Sequence, residues 1–161
     1  MQDWLALSKP VKTFQMNDLI TLDGISLDAT ASSPEEAVAL GGKILVELGA
    51  VSQQYADAMW EREQKFSSAI GLGFAIPHGT DESRVHVKYD QLVFLRLNSE
   101  IEWGDETVKC VLAIASQGDG HVEILGNFAE LVQDEASLEM LVSTGTKEQV
   151  RDLILMRTGD R

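Results

Sequence analysis

Cysteine is nearly missing from this chain: Cys110 stands alone among 161 residues. One cysteine excludes an internal disulfide and cannot build a thiolate zinc site. It lies in the apolar run Val108-Lys109-Cys110-Val111-Leu112-Ala113-Ile114-Ala115, where the expected role is a small core residue rather than a reactive thiol. Such cysteine usage fits a reducing compartment, and the expected location is cytoplasmic. Long apolar runs are missing too, so no membrane-spanning helix is expected. The opening residues Met1-Gln2-Asp3-Trp4 lack the basic and then apolar pattern of a secretory signal. Basic residues are scarce, 13 against 26 acidic ones, for a net charge of −13. That charge repels nucleic acid and anionic membrane surfaces, which are bound by covering phosphates with Lys and Arg. It steers a basic protein partner inward. No Gly-Lys-Ser/Thr phosphate loop occurs, and Gly71-Leu72-Gly73 lacks the third glycine of a dinucleotide fingerprint. No Gly-x-Ser-x-Gly elbow supports a serine triad.

What the chain does have is 44% apolar residues, enough to core one domain. Residues 1–16 are weakly patterned and read as a loose N-terminal arm, with 157–161 as a short tail. Leu19–Leu22 and Ile25–Leu27 offer one or two short strands. Ser33-Pro34-Glu35-Glu36 is a strong helix start: a capping serine, proline in the first turn and glutamate three residues after the cap. The helix runs to Leu48, and Gly49 ends it. Its inner stripe is Ala37, Leu40, Gly41, Ile44 and Leu48, with Gly41 allowing close packing on a sheet. A second helix covers 53–66, with Val51, Tyr55, Ala58 and Met59 inward at spacings of three and four. Strands follow at 74–76, 91–97 and 108–115, with a short extra one at 101–103. A helix opens after Asp119, a candidate cap, and carries His121, Leu125, Phe128 and Val132 on one stripe. Asp134 starts one closing helix, and the capping box Thr146-Lys147-Glu148-Gln149 starts another. Helices and apolar strands alternate, so the expected class is α/β. The sheet should hold about five strands, mixed and mostly parallel, with helices on both faces. The short link from Leu97 to Val108 predicts one antiparallel pair.

Histidine occurs three times, and the three positions differ. His86, within Arg84-Val85-His86-Val87-Lys88, reads as a solvent-facing strand residue. His78 ends the apolar run Gly73-Phe74-Ala75-Ile76 and lies between Pro77 and Gly79. Proline stops the strand, and Gly79 has no side chain to crowd the imidazole, so open space beside it is expected. Strand ends are where α/β sheets place their chemistry. His121 falls in the first turn of a helix, where backbone N–H groups and the helix dipole favour an anion. Arg62 continues the inner stripe of the second helix. A buried guanidinium needs an anion, unless its stem packs and its head escapes to water. A metal site built on His78 and His121 would use the same residues, although no close-spaced ligand pair is present.

Trp60-Glu61-Arg62-Glu63, the segment Ala75-Ile76-Pro77-His78-Gly79-Thr80, and Gly120-His121 opening a helix together resemble the enzyme IIA component of the bacterial phosphoenolpyruvate-dependent sugar phosphotransferase system, mannitol/fructose type. The likeness spans residues 17–156. It implies that His78 accepts a phosphoryl group and passes it on, with Arg62 and His121 at the phosphoryl site. Thr80 matches the family's small hydroxyl residue, and Gly79 adjoins the transferred group. The resemblance implies the small phosphocarrier protein HPr as donor and a cysteine of a IIB domain of a sugar permease as acceptor. It implies no metal, no bound cofactor and no direct membrane binding. A regulatory, nitrogen-type IIA protein and a metal-dependent hydrolase are the alternatives. The residue chemistry suits transfer: an imidazole of ordinary pKa is largely neutral near pH 7. Arginine offers a permanently charged fork to phosphate oxygens. Phosphoryl transfer depends mostly on positioning and charge stabilisation.

Overall fold

The two richest apolar runs of the sequence form the centre of a sheet. In the computed structural model, which describes residues 19–158, they are strands β4 (Gln91–Trp103) and β5 (Glu106–Ala115). They pair antiparallel, with Leu92 opposite Ile114 and Trp103 opposite Glu106. The turn between them uses Gly104 at φ 64°, a left-handed conformation that glycine adopts without strain. The expected separate strand at 101–103 is thus the far end of β4.

Side chains alternate across these strands, because successive residues of a strand point to opposite faces. Leu92, Phe94, Cys110, Leu112 and Ile114 face one core. Val93, Leu95, Leu97, Val111, Ala113 and Ala115 face the other. Both faces are buried, which is why the strands read as continuous apolar runs.

Strand β1 (Ile25–Ala29) runs parallel to β4 on one side. On the other side β3 (Phe74–Ala75) runs parallel to β5, and β2 (Ala69–Gly71) closes the edge antiparallel to β3. The order β1-β4-β5-β3-β2 makes the expected mixed α/β sheet. The edge strand β2 is too short, at three residues, to show in the sequence pattern. Leu19–Leu22 is not a strand. It is a bend leading into a single 3-10 turn over Leu22–Gly24, tied to the sheet when Leu92 N–H donates to the Leu19 carbonyl at 2.7 Å.

Helices α1 (Pro34–Glu47) and α2 (Gln53–Lys65) cover the face of Val93, Leu95, Val111 and Ala113, the first of the two helical layers. The Ser33 hydroxyl accepts from Glu36 N–H at 3.2 Å, as the capping pattern predicts. The buried stripe of α1 is Ala37, Val38, Gly41, Gly42 and Leu45, turned by one residue from the expected set, with Leu40, Ile44 and Leu48 only partly buried. Two adjacent glycines cause that turn. A Cβ on Gly41 would lie 3.0 Å from Ala113, and one on Gly42 would lie 2.9 Å from Ala56. The helix therefore sits close to both the sheet and α2.

Helix α3 (Gly120–Leu131), the short α4 (Glu135–Glu139) with its π-turn Met140–Thr144, and α5 (Lys147–Thr158) cover the second face. The capping box forms as expected: Gln149 N–H donates to the Thr146 hydroxyl at 3.2 Å, and Thr146 N–H donates to Gln149 Oε1 at 2.9 Å. Phe74 and Phe128 meet edge to face, 5.4 Å between ring centres, and lock α3 onto β3. Among the described residues no helix is long and apolar enough to cross a membrane. The expected N-terminal arm over 1–16 lies outside the described residues.

Candidate functional site

The chain leaves β3 at Ala75 and runs through Ile76-Pro77-His78-Gly79 along the end of β5. Ile114 N–H donates to the Pro77 carbonyl at 3.0 Å, and His78 itself forms a parallel bridge to Ile114. Ile76 N–H donates to the Ser68 carbonyl at 3.0 Å. Pro77 has no donor to place. The fourth tie is the buried Tyr55 of α2. Its hydroxyl donates to the Ile114 carbonyl at 2.7 Å and accepts from Gly79 N–H at 2.9 Å. Burial pushes the Tyr55 pKa up to about 12, although the Gly79 amide pulls the other way. The phenol therefore keeps the proton that it needs as a donor.

The open space expected beside the imidazole does not come from the missing side chain of Gly79. Gly79 is buried, and a Cβ on it would come 2.5 Å from Ser83 Oγ and 2.6 Å from the Tyr55 ring. Glycine is required here because the loop presses against Tyr55 and the following turn. Thr80 starts that turn: its hydroxyl accepts from Ser83 N–H at 3.2 Å, and its carbonyl accepts from Ser83 Oγ at 2.6 Å.

Space lies instead on two sides of His78, which is half-buried. One recess is lined by Tyr55, Gly79, Thr80, Arg84 and Ser116 together with His78. The other is lined by Arg62, Ser68, Ile70, Ile76 and Leu125 together with His78. The imidazole is a wall of both, and each holds one arginine. His78 Nδ1 lies 3.2 Å from the Gly79 carbonyl. A carbonyl only accepts, so this contact favours the tautomer with the proton on Nδ1 and the basic lone pair on Nε2.

Arg62 is half-buried rather than fully inward. The helix ends within a turn of it, and the residue buried at that level is Glu63, 8% exposed. Arg62 Nη1 donates to the Phe66 carbonyl at 2.9 Å, and the guanidinium lies 5.2 Å from the centre of the Phe66 ring. Glu63 accepts from Ser68 N–H and from Trp103 Nε1, both at 2.8 Å. It thereby fixes the turn that leads from Arg62 into β2.

His121 lies in the first turn of α3. Its side chain falls outside the described residues. One turn on, Leu125 lines the recess shared by Arg62 and His78, so the helix start is close to both. Asp119 holds the N-cap position but makes no cap bond; its carboxylate pairs with Arg84 instead. His86 lies not on a strand but at the end of the 3-10 turn Glu82–His86, half-buried. The spacing of Arg84 and Val87 around it imitates a strand, because a short turn leaves no helical period to read.

Sequence reasoning missed Arg84, Tyr55 as a loop anchor, and Glu63. Arg84 had one available signal, an arginine six residues after the histidine. Cys110 behaves as expected: burial pushes its thiol up to about 12, so it stays protonated in the core. Among the described residues no group of three or more His, Cys, Asp or Glu is placed to hold a metal ion.

Residues 18–156 match the family model described as phosphoenolpyruvate-dependent sugar phosphotransferase system, EIIA 2. The mannitol-specific phosphotransferase enzyme IIA component of Staphylococcus aureus (strain MRSA252) is 35% identical over 138 residues, 86% of this chain and 96% of that protein. Its counterpart in Bacillus subtilis (strain 168) is 34% identical over 133 residues, 82% of this chain and 93% of that protein. The mannitol enzyme IIA of Escherichia coli, solved in complex with phosphorylated mannitol enzyme IIB, is similar in fold with a TM-score of 0.79 at 28% identity. That match covers 86% of this chain and 100% of the other.

Proposed function

The chain belongs to the EIIA 2 family of the phosphoenolpyruvate-dependent sugar phosphotransferase system, and on that premise we propose that His78 carries the phosphoryl group. The observation that carries this reading is the position of His78: a wall of two recesses, each holding an arginine, with Nδ1 turned to a carbonyl. Nε2 then attacks the phosphorus of a donor phosphohistidine, the phosphocarrier protein HPr. One P–N bond breaks as another forms, and no oxidant or cofactor enters. In the second step a cysteine thiolate of a IIB domain attacks the same phosphorus, the His78 P–N bond breaks and a P–S bond forms. Arg62 lines a recess with His78, which supports a role for its fork on the phosphoryl oxygens. The α3 start, with His121 in its first turn, adds backbone donors and a favourable dipole.

The surface supports two alternating protein partners. Among the described residues, four exposed large apolar ones, Phe66, Ile70, Val85 and Val122, lie on or next to segments that line the two recesses. Asp81 and Asp119, each more than 80% exposed, add negative charge beside them. An apolar centre with an acidic rim suits a small basic donor. Delivery to a permease-linked IIB would drive uptake of a sugar or sugar alcohol, with this chain working in the cytoplasm. The E. coli enzyme IIA solved with phosphorylated IIB supports the acceptor.

The test loads the chain with phosphate from phosphoenolpyruvate through enzyme I and HPr, then adds a IIB domain of the mannitol class. Acid-labile label should appear on the chain and then leave it for a IIB cysteine. Label that forms but never moves to any IIB would favour a purely regulatory role. No label at all would refute the phosphocarrier reading.

A further inference from the structure

Arg84 is six residues beyond His78, in the turn Glu82–His86, with its side chain 26% exposed. Its Nη2 meets Asp81 Oδ1 at 3.0 Å, and its Nη1 meets Asp119 Oδ1 at 2.9 Å. The two carboxylates belong to different parts of the site. Asp81 follows Thr80 in the His78 loop, whereas Asp119 is the last residue before α3. The same guanidinium lines the recess with His78, Thr80 and Ser116.

We propose that Arg84 is a positioning residue of this site: its fork clamps the start of α3, and with it His121, against the loop that carries His78. The inference rests on the reading of His78 as the phosphoryl carrier.

Three observations support a clamp rather than an ordinary surface pair. First, Asp81 and Asp119 are 85% and 87% exposed, and pairs of that kind add little to stability. Their value here is geometric. Second, the Asp119 side chain caps none of the first amides of its own helix. Its carbonyl accepts from Val122 N–H at 3.0 Å, while its carboxylate is turned sideways to Arg84. Third, the loop between β5 and α3 has a separate tether. Gln117 N–H donates to Asp90 Oδ1 at 2.8 Å, and its side-chain amide donates to the Val87 and Lys88 carbonyls at 3.1 and 3.0 Å. The strand side of the loop is therefore held without Arg84, whereas the Asp119 carboxylate at the helix side is held by it. Lysine cannot replace this arrangement, since one ammonium lacks the fixed fork that spans two carboxylates.

The experiment measures phosphoryl transfer from phospho-HPr to the chain, split into kcat and KM, for wild type, Arg84→Gln, Arg84→Lys, Asp119→Asn and the Arg84→Gln/Asp119→Asn pair. Misplacement of reacting groups by an ångström costs up to about a hundredfold, so a loosened helix start should lower kcat by about tenfold. The melting temperature should hold within about 2 °C, because no buried group is lost, and KM within about twofold for Arg84→Gln and Arg84→Lys, which leave the acidic rim in place. Arg84→Lys should recover only part of the rate. The pair should be no slower than either single change, because both remove one shared contact. Asp119→Asn, at an exposed position, keeps the test valid if Arg84→Gln fails to fold. Unchanged kcat in Asp119→Asn, or losses that multiply in the pair, would overturn the clamp while leaving the phosphocarrier reading intact. A wild-type chain that takes no phosphoryl group from HPr would overturn both.

Discussion

Two arginine sites in this molecule differ in what surrounds the cation. Beneath the π-turn, Arg96 is 9% exposed and donates to three carbonyls, those of Leu141, Met140 and Gly145, at 2.9, 2.9 and 3.1 Å. Beside His78, Arg62 is half-buried, donates to the Phe66 carbonyl and lines a recess. Arg96 adds a donor to three helix-end carbonyls, two of which also accept elsewhere: Met140 from Gly145 N–H at 2.8 Å and Leu141 from Cys110 Sγ at 3.6 Å. It is an architectural cation, and it pins the second helical layer to β4. Arg62 keeps its fork at an edge where a ligand can come and go. Burial with dense hydrogen bonding marks structure here, and partial engagement beside His78 suits the proposed phosphoryl site.

Substitutions should separate the two roles. Arg62→Gln should slow phosphoryl transfer by about 10²–10³-fold, the scale for losing one preorganised charge partner. Its unfolding free energy should stay within about 0.5 kcal/mol of wild type. Arg96→Met should do the reverse. It removes three hydrogen bonds and takes from the Gly145 carbonyl its Arg96 donor, at about 1–3 kcal/mol for a buried unsatisfied group. Denaturation should show a loss of about 1–3 kcal/mol, while the transfer rate per folded molecule stays the same. A rate loss in Arg96→Met as large as that of Arg62→Gln would erase the distinction.

Tyr55 stands between the two categories, because it is buried and also anchors the His78 loop. Tyr55→Phe should cost about 1–2 kcal/mol from the stranded Gly79 amide and Ile114 carbonyl, and it should lower transfer as well. The smallest effect is on pH. Burial raises both Tyr55 and Cys110 to about 12, from ordinary values of 10.0 and 9.0. The unfolded chain then releases these protons before the folded one does. Their contribution to stability is full below pH 9 and is lost as pH rises toward 12. The fall above pH 10 should be shallower in Tyr55→Phe than in wild type, as read by urea midpoints across the range.

Much of this arrangement was legible in the residues. Helix α1 announced itself through Ser33, Pro34 and Glu36, and α5 through Thr146 and Gln149, because capping is local chemistry. The central strands showed as apolar runs because both their faces are buried. Strand β2 stayed hidden: three residues with one exposed side carry no period. The same limit concealed the turn around His86. At the site, His78 and Arg62 could be named from spacing and family resemblance. Arg84 could not, because its role depends on Asp119, which is 35 residues away in sequence. Gly79 was read as leaving room, whereas it is the point of tightest packing, against Tyr55 from another helix. Long-range contacts of this kind leave no trace in a local pattern.

The most direct measurement is phosphorus and nitrogen NMR of the chain, labelled with ¹⁵N-histidine and loaded through enzyme I and HPr. One phosphohistidine at Nε2 of His78, absent in His78→Gln, is the expected spectrum. A phosphoryl group on any other residue, or a His78→Gln chain that still takes up label, would contradict the assignment.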